Sequence, residues 1–298
     1  MSMIADRDGL IFKQDYFDDP AAWHAFAGLL EDVFGIDLGP LALLGGHDRT
    51  SMPSALFDAE GACVANFTAF SMSLVVNGRL VKAAGLQSGA VRPEYRGRGL
   101  FRDLTRATLD RCADAGFEAI ALYTDKPGLY EPHGFRIVPQ SRFSGSPPQL
   151  HKTVTPSRRL DIRNSDDLAL IQAALAERLP VSARFAVADQ ATMFLLNAYF
   201  NDHVMLDYLA DHRAVVAWQA SSNDAFELLD IVGPEIPPLD AILSALGPRP
   251  AHVIVHFPPD LLDWQGTPER IYDLVFMMRC ATELVPLEPF CLSPMAEF

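Results

Sequence analysis

Residues 91 to 104 read Val91-Arg92-Pro93-Glu94-Tyr95-Arg96-Gly97-Arg98-Gly99-Leu100-Phe101-Arg102-Asp103-Leu104. An extended run, Ala83 to Val91, leads into this stretch, and Pro93 disfavours helix at the residue before it. From Leu100 the spacing becomes helical, with Phe101, Leu104, Thr108 and Cys112 three or four residues apart and Gly116 as a stop. A buried strand is predicted over Ala119 to Tyr123. The turn Arg96-Gly97-Arg98-Gly99 thus joins a strand to a helix. The first N–H groups of a helix have no intrahelical partner, its dipole adds partial positive charge, and glycine lets a phosphate approach the backbone. Arg96, Arg98 and Arg102 add full charges, and together these features suit a pyrophosphate. The two glycines alone would equally serve a plain tight turn. No Lys-Ser or Lys-Thr pair follows as in a P-loop, and the third glycine of the dinucleotide fingerprint is absent.

The wider pattern narrows the reading. The run from Val91 to Leu104 resembles the cofactor motif of the GNAT superfamily of acyl-CoA N-acyltransferases, Arg/Gln-x-x-Gly-x-Gly/Ala, with Arg96 and Gly99 at its first two fixed positions. Phe101 stands at the third, where Gly or Ala is usual; this is similar to members in which a large residue packs under the helix. Downstream, Leu129 to Phe135 (LYEPHGF) resembles the superfamily's later motif, a Tyr four residues before Gly-Phe, and places Tyr130 on the Tyr position. The resemblance covers residues 20 to 145. It implies an α/β (α+β) fold, a mixed, mostly antiparallel sheet flanked by helices, whose fourth and fifth strands splay to admit a pantetheine arm.

It also implies acetyl-CoA as co-substrate, held by Ala90, Val91, Arg96, Gly97, Arg98, Gly99, Leu100, Phe101, Arg102 and Thr124. The implied reaction is N-acetyl transfer to a primary amine by direct attack on the thioester. Backbone N–H near Val91 would receive the oxyanion, and Tyr130 would donate to the departing sulfur. A Tyr130 merely packed beside Phe135 stays open, as do an acetyl-CoA sensor and a transferase with a longer acyl donor. No base is singled out: Asp125, Glu31, Asp32, His47, Asp48, His133 and a terminal carboxylate on Phe298 all qualify.

The 298 residues suggest two domains of about 150 residues each. Ser144 to Pro156 is rich in Ser, Gly and Pro, so we expect a first domain over 1–145, a linker over 146–158 and a second domain over 159–298. Helix over Pro20 to Phe34, strands over 64–70 and 72–76 and a hairpin at Asn77-Gly78 precede the motif. The second half repeats the order of elements, with a helix opened by Asp166 and Asp167 and strands over 204–209, 214–220, 226–232, 252–257 and 274–278. Where the Arg-x-x-Gly turn would fall it reads Gly233-Pro234-Glu235-Ile236-Pro237-Pro238, whose prolines delete amide donors. It therefore looks like a degenerate GNAT-like domain without cofactor, in an arrangement that resembles the tandem acetyltransferases of the enhanced-intracellular-survival type.

The net charge of −14 argues against nucleic acid as partner and favours a cationic amine. Within that acidic chain six arginines cluster between Arg92 and Arg111. Asp230 and Glu235 are expected to give the second half an acidic wall facing the acceptor. Cys63, Cys112, Cys280 and Cys291 fall in no metal-ligand spacing, so no metal is expected. No signal-peptide core or membrane-length apolar run occurs, which gives a cytoplasmic expectation with no membrane partner; a homo-oligomer is compatible with the sequence. His252 and His256 are expected to decorate one sheet face, Trp218 and Trp264 to be core, and Gly45-Gly46-His47-Asp48 to be a loop.

Overall fold

The computed structural model describes residues 9–150, 154–220, 225–247, 249–272 and 274–298. The chain runs through β1 (Ile11–Gln14), α1 (Pro20–Phe34), β2 (Met52–Phe57), β3 (Cys63–Ser71), β4 (Ser73–Val76), β5 (Arg79–Val81), β6 (Ala83–Val91), α2 (Leu100–Asp114), β7 (Ala119–Thr124), β8 (Arg136–Ile137) and β9 (Ser141–Gly145). It continues with β10 (Arg158–Leu160), α3 (Ser165–Ala176), β11 (Phe185–Asp189), α4 (Thr192–Phe200), β12 (Met205–Leu209), β13 (Ala214–Ala220), β14 (Ala225–Val232), α5 (Leu239–Leu246), β15 (His252–Val255), β16 (Thr267–Arg270) and β17 (Val275–Cys280).

Local chemistry explains the helix ends. Asp19 accepts from the N–H groups of Ala21 and Ala22, Pro20 supplies the first helical φ, and Gly35 closes α1 in the left-handed conformation. Asn164 caps α3 in the same way, through the N–H groups of Asp166 and Asp167. The Asn77-Gly78 pair, both at positive φ, turns β4 into β5.

Two seven-stranded sheets form, ordered β1-β2-β3-β6-β7-β17-β8 and β10-β12-β13-β14-β15-β9-β16. Each is antiparallel except at one interior pair, β6 with β7 and β14 with β15. The order and sense of the two sheets are therefore the same. A third, three-stranded sheet joins β11 of the second half to the β4–β5 hairpin of the first. Fold class follows the expectation: mostly antiparallel sheets flanked by helices.

The chain does not part cleanly at residues 146–158. The run near the C-terminus, assigned by its position to the second half, is β17, and it lies between β7 and β8 of the first sheet. In return β9, which precedes the proline-rich stretch, lies between β15 and β16 of the second. Periodicity cannot foresee this, because an apolar strand carries no label for the sheet it joins. Burial on both sides explains the placement: Phe276, Met277 and Met278 are at most 1% exposed and fill the cores on the two faces of the first sheet.

Within the first sheet, α2 packs on one face against Phe67, Leu86 and Ile120. The other face takes α1 through Phe26, Leu29 and Leu30 against Phe57 and Ala90. Trp218 and Trp264 are buried in the second sheet's core, as expected. His256 sits against Glu227 at 3.0 Å, and no group of three or more His, Cys, Asp or Glu among the described residues could hold a metal ion. No helix among the described residues is long and apolar enough to cross a membrane.

Candidate active site

Strands β6 and β7 pair only from Ala83–Ala119 to Gly85–Ala121 and then part. Beyond Gly85 the edge of β6 toward β7 is unpaired among the described residues. On the opposite edge β6 stays paired with β3, with a bulge: Asn66 faces Ala90 and Thr68 faces Gln87, so β6 holds one extra residue. Ser88, at the bulge, has φ 57°. A buried side chain holds it there. Asn66 donates through Nδ2 to the Ser88 carbonyl at 2.8 Å and to Thr68 Oγ1 at 3.1 Å, and its Oδ1 accepts from Tyr16 Oη at 2.6 Å. Asn66 and Thr68 are fully buried, and burial drives the Tyr16 hydroxyl far above its ordinary range, so it stays a donor.

The bulge fixes which amides face the gap. The Arg92 N–H is donated to Val64 O across the β3 edge at 2.9 Å. Alternation along a strand then turns the N–H and C=O of Val91 toward the opposite, open edge. Arg96 Nε donates to that Val91 carbonyl at 3.1 Å.

At the end of β6 the chain enters the arginine-glycine turn. Gly97 and Gly99 both have left-handed φ, 77° and 79°, which glycine adopts without the Cβ penalty. Gly99 is the N-cap of α2 and no side chain caps the helix. The N–H groups of Leu100, Phe101 and Arg102 are donated to no described residue. Phe101 lies against Phe67 and, edge-on, against Tyr130, with ring centroids at 5.3 and 5.9 Å. A Cβ on Gly89 would meet the Phe101 ring at 3.0 Å, so that glycine admits the ring against the strand.

These elements enclose a groove of about 670 Å³. Of the residues expected to bind cofactor, Val91, Arg96, Gly97, Gly99, Leu100, Phe101 and Arg102 line it. Three do not. Ala90 turns into the core under α1, Arg98 leans over the Tyr95 ring at 4.9 Å and donates to Glu94 O, and Thr124 Oγ1 accepts from Lys126 N at the end of β7. Arg106 and His133 line the groove as well. Arg106 was legible as the residue one turn beyond Arg102 on the same helix face. The His133 imidazole titrates below the usual histidine range, first through burial and then through Arg106, Arg279 and Arg102. It registers a cationic mouth.

Tyr130 is 8% exposed and packed among Phe67, Phe101 and Phe135. Its hydroxyl bonds to no described residue. Burial, with a smaller push from Asp125, raises its pKa to about 12. The other candidates for proton acceptor scatter. Asp32 pairs with Arg92 at 2.5 Å and Asp125 with Lys126 at 3.4 Å. His47 and Asp48 lie on the α1 side of the sheet, and the Phe298 ring packs on Phe70 and Tyr123.

The equivalent turn of the second half is closed. After a bulge in β14 at the same point of the sheet, the α5 N-terminus donates its Leu239 N–H to Leu262 O at 2.9 Å. Asp230, expected on an acidic wall, is instead fully buried, bonded to Arg178 at 2.9 Å, Ser293 Oγ and its neighbour's N–H. Glu235 pairs with His212 at 3.1 Å. The acidic-wall reading of these two residues is thus corrected: sequence shows charge but not the partner that buries it.

Residues 19–138 match the family model described as an acetyltransferase (GNAT) domain. Over these residues the chain is similar to GNAT acetyltransferases. The fold comparison agrees over most of the chain. A GCN5-related N-acetyltransferase from Kribbella flavida superimposes with TM-score 0.56 at 18% identity, covering 91% of this chain and 71% of that one. A GCN5-related N-acetyltransferase from Anabaena variabilis gives 0.59 at 15%, covering 90% and 72%. At these identities the likeness is one of fold. No curated protein matches the sequence. The open end of β6, the glycine turn and α2 all lie within the residues that match the acetyltransferase model.

Proposed function

We propose that the chain is an acetyl-CoA-dependent N-acetyltransferase acting on a primary amine. The observation that carries this is the uncapped N-terminus of α2, set behind two left-handed glycines and beside Arg96, Arg102 and Arg106, at the mouth of the gap between β6 and β7. A pyrophosphate there would take the three unpartnered amides and the helix dipole. The arm would then run along the open edge of β6, bringing the thioester carbonyl toward the Val91 N–H.

The amine attacks that carbonyl, the negative oxygen is received by backbone N–H, and the C–S bond breaks to release a thiolate. A preorganised donor of this kind is worth about 2.7–4 kcal/mol to the transition state. Tyr130 suits the departing sulfur as a hydrogen-bond donor. With its pKa at about 12 against about 8.5 for a thiol, complete proton transfer would be uphill by about 5 kcal/mol. Tyr130 therefore stays neutral, and the proton lost by the amine is the one that finally neutralises the thiolate.

The test is thiol release from acetyl-CoA with a panel of primary amines, alongside calorimetry of CoA binding. We expect amine-dependent release, and loss of both release and binding in Gly99→Glu, which puts bulk and negative charge at the phosphate. Tight CoA binding with no release for any amine would overturn the transferase reading in favour of a sensor.

A further inference from the structure

The groove that begins at the glycine turn has a cationic mouth larger than a pyrophosphate needs. On its α2 side stand Arg102 and Arg106, one turn of helix and about 6 Å apart along the axis. Leu129, Pro132 and His133 line it across from them. A third arginine comes up beside this loop: Arg279 packs on Gly134, its Nε 3.7 Å from where a Cβ on that glycine would stand. Arg279 belongs to β17, the strand that the second half of the chain sends into the first sheet. Alternation puts it on the α2 face, with Met277.

Two of these three arginines have no protein partner. Arg102 pairs with Asp103 at 3.3 Å, whereas Arg106 and Arg279 make no ion pair or hydrogen bond with any of the described residues. Their charge acts on the nearby imidazole: after burial, Arg106 and Arg279 are the largest causes that hold His133 below the usual histidine range. Like charges gathered without a carboxylate repel one another, and a bound anion relieves that repulsion. The amides at the start of α2, with Arg96 and Arg102, provide for a pyrophosphate and leave Arg106 and Arg279 over. Coenzyme A carries one more phosphate, on the 3′ oxygen of its ribose. It stands one sugar ring from the pyrophosphate, a step similar to that from Arg102 to Arg106.

We infer that Arg106 and Arg279 together receive the 3′-phosphate of the cofactor, so that the strand sent over from the second half supplies a cofactor ligand. This rests on the acetyl-CoA reading above and adds to it the group by which the protein tells CoA from dephospho-CoA. A guanidinium meets a phosphate through two parallel N–H bonds, which a point charge cannot do. Both side chains are exposed, so salt screens the contact.

The experiment is calorimetry of CoA and of dephospho-CoA on the full chain, at low and at high salt, for the wild type, Arg106→Gln, Arg279→Gln and Arg279→Lys. The expected result is that dephospho-CoA binds about 10- to 100-fold more weakly than CoA at low salt, and that the gap narrows as salt is added. Each glutamine variant should lose most of the gap by weakening CoA, with dephospho-CoA affinity nearly unmoved. Arg279→Lys should keep part of it, since the charge stays and the fork is lost. Gly99→Glu supplies the contrast, because it should lose both ligands alike. Equal wild-type affinities for the two cofactors, or a gap that survives both glutamine variants, overturns the inference while CoA binding stands. Absence of binding of either cofactor to the folded chain removes the acetyl-CoA reading, and this inference with it.

Discussion

Replacing Asn66 with leucine cuts the tether of the β6 bulge and keeps the branching of the side chain; the extra bulk of its two methyls is common to the single and double variants compared below and cancels between them. The substitution leaves the Ser88 carbonyl and the Tyr16 hydroxyl without the partner each has at 2.8 and 2.6 Å. A buried polar group left unpaired costs about 1–3 kcal/mol; Ser88 is only half-buried and its carbonyl can turn to water, so the loss, carried by the buried Tyr16 hydroxyl, should be about 1–3 kcal/mol out of an ordinary stability of about 5–15 kcal/mol. Adding Tyr16→Phe removes one orphaned group, whereas the Thr68 hydroxyl loses its partner in both variants and cancels. The double variant should therefore be more stable than Asn66→Leu by about 1–3 kcal/mol, although Tyr16→Phe alone destabilises by about 1 kcal/mol. Urea melts of the four proteins read this directly. Freed from its tether, Ser88 can leave its left-handed conformation, and the Val91 N–H should then swing away from the gap. Turnover per folded molecule should fall toward the 10²–10³-fold typical of a lost oxyanion donor. A double variant less stable than Asn66→Leu, or wild-type turnover in folded Asn66→Leu, would refute the reasoning.

Three further outcomes are expected. The His133 pKa, held down by burial and by Arg106, Arg279 and Arg102, should rise when CoA brings negative charge to the mouth; an NMR pH titration with and without CoA checks it, and an unmoved pKa would place the pyrophosphate elsewhere. Tyr130→Phe should reduce turnover about 10- to 1000-fold with CoA affinity nearly unchanged. Because the raised pKa keeps the hydroxyl protonated until pH approaches 12, the wild-type rate should show no downward limb from Tyr130 below about pH 11, and a limb near pH 10 would mean an unburied phenol. Asp230→Asn should destabilise the protein by about 3–5 kcal/mol, since it strands the buried Arg178, whose Nε and Nη1 already lack partners among the described residues. Its folded fraction should bind CoA as the wild type does, and a changed CoA affinity would place Asp230 in the cofactor's surroundings after all.

Much of the first half could be read from residues, and what could not has identifiable causes. The period change at Leu100, the proline start of α1 and the Asn77-Gly78 turn are local signals, and the structure has α1 and α2 starting at Pro20 and Leu100 and the β4–β5 turn at Asn77-Gly78. Glycine and arginine at a strand-to-helix turn announce an anion site because the chemistry needs only neighbours in sequence. The bulge is different. Asn66, Tyr16 and Ser88 come from three separate elements, and no spacing connects them. Strand β1 went unread because four residues of half-exposed edge carry little apolar pattern, and α4 because its nearly uniform apolarity gives no amphipathic period. His47 and Asp48 were read as a loop, and a loop they are; their place in a small cleft on the α1 side of the sheet depends on α4, which arrives from the other half of the chain.

The exchanged strands have a bearing on how the protein is made. A ribosome releases β7 long before β17, so the nascent first sheet must wait with the edge of Ala119–Thr124 uncovered until Val275–Cys280 has emerged. An open apolar edge of this kind is a template for wrong partners. Synthesis at high rate or temperature should therefore yield aggregates seeded through β7, and a chaperone that shields it during translation should raise the soluble yield. A protease cut within residues 146–150, once folding is complete, should leave two pieces that stay together through denaturant concentrations at which a simple two-domain protein would fall apart, since each piece carries a strand from the interior of the other's sheet.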